Sequence, residues 1–107
     1  MTMEGLTPMT RVEVIVGGDQ VALIRDLFRG SGARGWTAVP GVSGFGHSGE
    51  HAGRLLFNDR DGLHWLFTVV PPDRAEALVA AVRRVLEDHP GVVLVSETYV
   101  SRPEHFR

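Results

Sequence analysis

Two histidines and a glutamate lie close together near the middle of the chain, at His47, Glu50 and His51. Neutral imidazoles and a carboxylate are ligands that suit zinc, copper or nickel in proteins. Their spacing fits a helix better than a loop. A site within one chain needs a further ligand, which His64 or a neighbouring subunit would supply. The group therefore supports one hypothesis, a metal-responsive or metal-buffering protein.

The same stretch is rich in glycine, with Gly44, Gly46 and Gly49 surrounding Phe45 and His47. A glycine-rich turn brings backbone N–H groups close enough to hold an anion. A loop that only needs positive φ angles requires the same glycines. The residues alone leave both interpretations open.

Two arginines have side chains that suit an anionic ligand, Arg54 and Arg102. The forked guanidinium matches the geometry of phosphate or carboxylate. All eleven basic residues are arginine, which excludes a Schiff-base lysine and a phosphate loop that depends on lysine. Arg83 and Arg84 lie on the outer face of a predicted helix and are assigned to solubility.

A hydrolase could be assembled from residue types alone, with Ser43 or Ser48 beside His47 and Glu50. Nothing in this stretch resembles a nucleophile elbow or an oxyanion site. With no cysteine in the chain, thiolate catalysis is excluded as well. The sequence predicts a protein that is not an enzyme.

Composition and charge limit the classes of protein to which the chain can belong. The chain has 107 residues and a formal charge of -2, which fits one domain without the basic surface of a nucleic-acid-binding protein. Apolar runs stay well below the roughly 20 residues of a membrane span. Residues 1–10 lack a secretory pattern, so we expect a cytoplasmic protein with an N-terminal extension over 1–10 and one domain over 11–107.

Hydrophobic periodicity predicts four strands and two helices that would position these side chains. The elements are a strand over Arg11–Val16, a helix capped by Asp19 and ended by Gly30 and Gly32, an edge strand over Ala33–Val42, a strand over Leu63–Val70, a helix over Asp73–Leu86 and a strand over Val92–Val100. Ser43–Gly62 is expected to be a long loop with room for a short strand or turn. The order β-α-β-β-α-β predicts an α+β ferredoxin-like fold, a four-stranded antiparallel sheet with both helices on one face.

The two helices can shield only one face of such a sheet. The strand over Leu63–Val70 is apolar on both faces, and the last strand carries valine or leucine at four consecutive positions, Val92 to Val95. The uncovered face is therefore expected to be partly hydrophobic and to pack against another copy of the chain.

Three stretches together resemble small PII-like signalling proteins, relatives of the nitrogen regulatory protein PII. They are Gly35-Trp36-Thr37, the run from Pro40 to Gly49 with its Gly-Phe-Gly, and the step from Leu66 to Leu78. With the element order, the resemblance spans Arg11 to Val100. It implies a homotrimeric regulator that binds an adenine nucleotide, with or without bicarbonate, in clefts between subunits and signals to a transporter or enzyme through a mobile loop.

In that family the cleft is formed by the loop after the second strand, a phosphate loop after the second helix and basic residues near the C-terminus. Carried onto this sequence, the resemblance implies the ligand-binding residues Gly44, Phe45, Gly46, His47, Arg54, His89, Gly91 and Arg102. Glu87–Gly91 replaces the usual lysine-containing loop, so we expect a nucleotide held without the full triphosphate grip. The lone tyrosine, Tyr99, lies outside the loop that carries a modified tyrosine in the family. The alternatives are the metal-binding protein and a dimeric ferredoxin-like enzyme.

Overall fold

A computed structural model of the chain describes residues 3–46, 49–51 and 62–107. The elements in chain order are β1 (Thr7–Gly17), α1 (Val21–Gly30), β2 (Thr37–Val42), β3 (Gly44–Gly46), β4 (Gly49–His51), β5 (Leu63–Val70), α2 (Pro72–Leu86) and β6 (Gly91–Val100), with 3₁₀ turns at Gly18–Gln20 and Pro103–His105. Four strands form one sheet in the order β2-β5-β1-β6, and β3 and β4 form a separate hairpin. All neighbours in the main sheet are antiparallel. The α+β ferredoxin-like arrangement is confirmed.

The core lies between the sheet and the two helices. Its buried cluster consists of Val12, Val14, Val16, Ile24, Phe28, Leu66, Leu78 and Val82. Its members from β1 recur at every second residue, Val12, Val14 and Val16, and those from α2, Leu78 and Val82, lie one helical turn apart. Burying each large apolar side chain contributes about 1.5–3 kcal/mol to the free energy of unfolding, so this layer holds the helices in place against the sheet.

The first strand is longer than predicted, since β1 begins at Thr7 rather than Arg11. Its extra residues pair with the end of β6, from Thr7 opposite Val100 to Thr10 opposite Glu97. This part of the strand lacks a regular alternation of apolar residues. Backbone hydrogen bonds to an edge strand form without such alternation, which is why the sequence pattern missed it.

The start of α1 also differs from the prediction. Asp19 was expected to cap the helix, but it lies inside the 3₁₀ turn, and Gln20 occupies the N-cap position. The Gly18 N–H donates to the Gly62 carbonyl at 2.9 Å. This long-range bond fixes the backbone one turn before α1, and no local sequence signal indicates it.

The strand β2 begins four residues later than predicted, at Thr37. Two hydrogen bonds engage the preceding residues in place of the β2 ladder. The Ala33 N–H donates to the Phe28 carbonyl at 3.2 Å, and the Thr68 hydroxyl donates to the Gly35 carbonyl at 2.5 Å. The expected edge position and bulge are both present, since the register shifts between Pro40 and Val42.

The predicted loop over Ser43–Gly62 begins with a short hairpin. Gly44 pairs with His51, Phe45 with Glu50 and Gly46 with Gly49. The stretch was expected to hold at most a short strand or turn, and the structure places two strands in its first part.

The sheet face turned away from the helices, called the open face below, is partly apolar as expected. Strand alternation and register place on it Arg11, Glu13 and Ile15 of β1, Trp65, Phe67 and Val69 of β5, and Val92 and Leu94 of β6. Val92 and Leu94 are 48% and 49% exposed. That another copy of the chain covers this face stays a prediction.

Candidate functional site

The segment after β2 and the connection between α2 and β6 emerge at the same end of the sheet, called the loop end below. Leu63 pairs with both Gly17 and Val42, and Gly91 pairs with Val16. These pairings place the end of β2, the end of β1 and the start of β6 at the same end of the sheet. Two of the three predicted parts of the ligand site therefore lie at this end within one copy, on its two edge strands.

At the loop end, Gly44, Phe45 and Gly46 form β3. His47 and Arg54, also predicted to bind the ligand, lie outside the described residues. The return of the segment is fixed at Gly62, whose carbonyl accepts from Gly18. The backbone thus carries the glycine-rich run directly out of β2.

The connection from α2 to β6 is compact. The N–H groups of Glu87 and Asp88 donate to the carbonyls of Arg83 and Val85, each at 3.2 Å. His89 follows half-buried. Because the N–H groups of Glu87 and Asp88 are already bonded to carbonyls of α2, this connection has fewer free donors for a phosphate chain than a glycine-rich loop.

Gly91 has a packing role that the sequence did not reveal. Its φ of +152° is one that side-chain-bearing residues rarely adopt, and a Cβ there would lie 2.6 Å from the Ile15 carbonyl oxygen. It would also approach Leu86 and Val16 at 2.9 Å. Glycine is required here so that β6 can start against β1. Its predicted contact with a ligand stays a prediction.

Arg102 lies at the opposite end of the sheet. It follows Val100, which pairs with Thr7 at the far end of β1. Its side chain is exposed, and its carbonyl accepts from the His105 N–H at 3.0 Å. The ten residues of β6 span roughly 30 Å. Within one copy, Arg102 therefore cannot reach a ligand held at the loop end.

Two further arginines, for which the sequence indicated no role, form hydrogen bonds at the end of the sheet that carries Arg102. Arg34 Nη1 donates to the carbonyl of Arg107 at 2.7 Å, and Arg74 Nη1 donates to the carbonyl of Gly32 at 3.2 Å. These contacts attach the C-terminal residues and the start of α2 to the turn after α1. They join positions far apart in the chain, so spacing alone could not have found them.

Tyr99 lies close to this end as well. Its hydroxyl donates to Glu97 Oε1 at 3.0 Å. That hydrogen bond, with smaller contributions from desolvation and the negative charge of Glu97, raises the pKa of Tyr99 above its ordinary value. The phenol therefore stays neutral and acts as a hydrogen-bond donor at physiological pH.

Both tryptophans contact other side chains of the same chain. Trp36 packs against the core, and the Arg29 guanidinium lies 4.9 Å from its ring centroid. Trp65 lies on the open face, where its Nε1 donates to Glu13 Oε1 at 3.0 Å. Both rings thus contact the protein's own side chains.

The predicted metal ligands are not brought together in the described part of the chain. Glu50 and His51 lie in β4 rather than in the helix that their spacing favoured, and His47 is outside the described residues. No group of three or more histidine or acidic side chains that could hold a metal ion occurs among the described residues. The metal hypothesis therefore gains no support from this region.

A groove of about 350 Å³ lies between α2 and β6 on the helix side of the sheet. It is lined by Ala75, Glu76, Val79, Ala80, Arg83 and Val95. His89, Gly91 and Arg102 are not among these lining residues. Neither of the two described helices is long and apolar enough to cross a bilayer.

Known proteins share both the sequence pattern and the fold. The sequence model of the family described as Nitrogen regulatory protein P-II matches residues 9–105. A structure of CPII, a nitrogen regulatory PII-like protein from Thiomonas intermedia K12 bound to ADP, AMP and bicarbonate, is 34% identical, covering 95% of this chain and 96% of that chain, with a TM-score of 0.90. The apo form of CPII from the same organism is 29% identical, covers 89% of this chain and 94% of that chain, and has a TM-score of 0.71.

A more distant structure, a PII-like signaling protein from Thermus thermophilus, is 18% identical over 95% of this chain and 98% of that chain. Its TM-score of 0.74 shows the shared fold alone. No curated protein matches the chain. The family match runs from near the start of β1 to beyond the end of β6 and covers nearly the whole chain. This chain therefore belongs to the nitrogen regulatory protein P-II family.

Proposed function

We propose that this protein is a homotrimeric regulator that binds an adenine nucleotide, together with bicarbonate, in clefts between its subunits. The segment that follows β2 changes conformation when the effector binds, and a transporter or enzyme reads that change. The protein acts in the cytoplasm and needs no reaction of its own.

The position of Arg102 carries this proposal. Arg102 lies at one end of the sheet, and the glycine-rich run and His89 lie at the other. A second copy is needed to bring its guanidinium to the loop end. A cleft between subunits is the arrangement in which all the predicted ligand-binding residues contact one effector.

The chemistry of the residues favours a nucleotide with few phosphates. Arg102 supplies a fork of N–H donors for a phosphate, whereas Glu87 and Asp88 place two carboxylates at the other side of the cleft. Their N–H groups are engaged by the end of α2. CPII, at 34% identity, is described with ADP, AMP and bicarbonate bound. We therefore expect ADP or AMP to bind more tightly than ATP.

Titration calorimetry tests this function directly. The protein is titrated with ADP, AMP and ATP, each with and without bicarbonate, and with zinc, copper and nickel ions in separate runs. The proposal predicts saturable binding of ADP or AMP that bicarbonate strengthens. No binding of any adenine nucleotide would contradict it, and tight binding of a metal ion alone would favour the metal-binding alternative.

A further inference from the structure

We infer that Arg11 and Glu13 form ion pairs between neighbouring subunits across the open face, with Arg11 of one copy contacting Glu13 of the next, and that these pairs determine which assembly forms. The inference rests on the proposed function, because that function requires assembly. It adds the residues that join the subunits, which lie away from the nucleotide cleft.

The two side chains already belong to one cluster on the open face. Arg11 Nη2 lies 3.4 Å from Glu13 Oε1, and the Trp65 indole donates to the same oxygen at 3.0 Å. The guanidinium carbon lies 4.4 Å from the Phe67 ring centroid and 5.9 Å from that of Trp65. The aromatic rings hold Arg11 and Glu13 in defined positions on the sheet.

The cluster is incomplete within one copy. Arg11 Nε is buried and has no hydrogen-bond acceptor among the described residues. Leaving a buried donor of a charged group unpaired has a free-energy cost. Both contacts to Glu13 use Oε1, so Oε2 can accept from another molecule. An acceptor on another molecule that draws the guanidinium slightly outward would give Arg11 Nε a hydrogen-bond partner and remove this free-energy cost.

A second copy of this chain is the partner that fits best. The cluster presents a partly exposed guanidinium and a spare carboxylate oxygen on one face. A ring of copies matches the guanidinium of each to the carboxylate of the next. Ile15, Val92 and Leu94 share this face, and the last two are about half exposed. With one charge of each sign, the face has no net attraction for a nucleic acid or an acidic peptide.

The arginine and the glutamate keep partial access to solvent, with side-chain exposures of 32% and 20%. A partner that covers the face would bury both charges. Removing only one member of a buried pair leaves the other uncompensated, which costs more than removing both. The inference therefore predicts that single substitutions weaken the assembly and that the double substitution weakens it by less than the product of the single effects.

Sedimentation velocity over a dilution series tests this with the variants Arg11→Met, Glu13→Gln and the double variant. Arg84→Met, an exposed arginine of α2, is the matched control. We expect each single variant to raise the dissociation constant of the assembly by roughly tenfold or more and the double variant by clearly less than the product. Circular dichroism checks that every variant is folded. If Arg11→Met fails to fold, Glu13→Gln still tests the inference, because it keeps the shape of the side chain.

Unchanged dissociation constants in both single variants would overturn the inference, as would strictly multiplicative effects or a wild-type protein that is monomeric at every concentration. Calorimetry with ADP on the wild type tests the proposed function separately from the inference about Arg11 and Glu13. A stable assembly that shows the coupling but binds no nucleotide would contradict the proposed function and still support the role of Arg11 and Glu13 in the assembly.

Discussion

Gly91 and Arg102 lie at opposite ends of the sheet, because Gly91 opens β6 and Arg102 follows its last residue, Val100. A strand of this length separates them by roughly 30 Å. Both were expected to bind one ligand, which they cannot do within one copy, so the proposed site requires two copies of the chain. In that proposal, each subunit contributes Gly91 to one site and Arg102 to the next.

Replacing Arg102 by alanine should weaken ADP binding while leaving the assembly and the melting temperature unchanged. A charge-assisted hydrogen bond is worth about 1.5–3 kcal/mol, which corresponds to a roughly 10- to 150-fold rise in the dissociation constant. Because the Arg102 side chain is exposed, its loss should not disturb the fold. Calorimetry measures the affinity and light scattering the mass.

The matched control for Arg102 is Arg84→Ala, another exposed arginine, which lies on α2. It should bind ADP like the wild type. Equal affinity in the Arg102 variant and the wild type would remove this arginine from the site, whereas equal loss in both variants would indicate only a general effect of net charge.

Replacing Gly91 by alanine should destabilise the protein by about 2–3 kcal/mol. The added Cβ would lie 2.6 Å from the Ile15 carbonyl oxygen, at a φ of +152° that alanine rarely adopts. Gly30→Ala is the control, since a Cβ there meets nothing within 4 Å. Urea unfolding followed by circular dichroism compares the two, and similar stabilities would contradict the packing role of Gly91.

Much of the fold could be predicted because local patterns and tertiary packing agree. The buried valines of β1 recur at every second residue, and the buried Leu78 and Val82 of α2 are one helical turn apart, so each pattern matches the period of its element. The errors fall where a distant contact decides the backbone. Asp19 was misplaced because the carbonyl of Gly62 fixes the turn before α1, and β2 begins late because Thr68 holds the carbonyl of Gly35.

The candidate site was less accessible to prediction. Residue types pointed to Arg102 as an anion ligand, but only the strand register shows that it lies far from His89 within one copy. The contact of Arg34 with the Arg107 carbonyl spans 73 positions of the chain, and no spacing rule covers it. His47 and Arg54 lie outside the described residues, so their roles stay predictions from the sequence.

Charging the open face should prevent assembly, whereas charging the other face of the same strand should not. Leu94 and Val95 are neighbours in β6 with nearly equal exposure, 49% and 50%, and they point to opposite sides of the sheet. We expect Leu94→Asp to give a monomer and Val95→Asp to keep the trimer. Size exclusion with light scattering reads the mass, and a trimer in both variants would exclude the open face as the subunit contact.

Binding of the effector should slow amide exchange across residues 46–61. The sequence from Ser43 to Gly62 is rich in glycine and polar residues, which predicts little buried surface of its own and a low cost of opening. An effector held by this segment would select one conformation of it. Exchange over residues 73–86 of α2 should stay unchanged. High protection before ligand addition that no ligand alters would mean that the segment is a connector and not a switch.

The most direct measurement of the central claim, a site shared between copies, is a mixing experiment with two variants that each damage one half of the cleft. His89→Glu places a negative charge at the loop end, and Arg102→Glu does the same at the far end of the neighbouring subunit. Each variant alone should bind ADP far more weakly than the wild type, because every cleft contains one damaged half.

When the two variants are unfolded together and reassembled, every mixed ring contains one cleft in which an intact loop end faces an intact Arg102. If the site is shared, this mixture recovers high-affinity ADP binding in calorimetry, at a stoichiometry well below that of the wild type. A mixture whose subunits have exchanged, as shown by mass spectrometry of the intact assembly, but which binds ADP no better than either variant alone, would contradict a site shared between subunits.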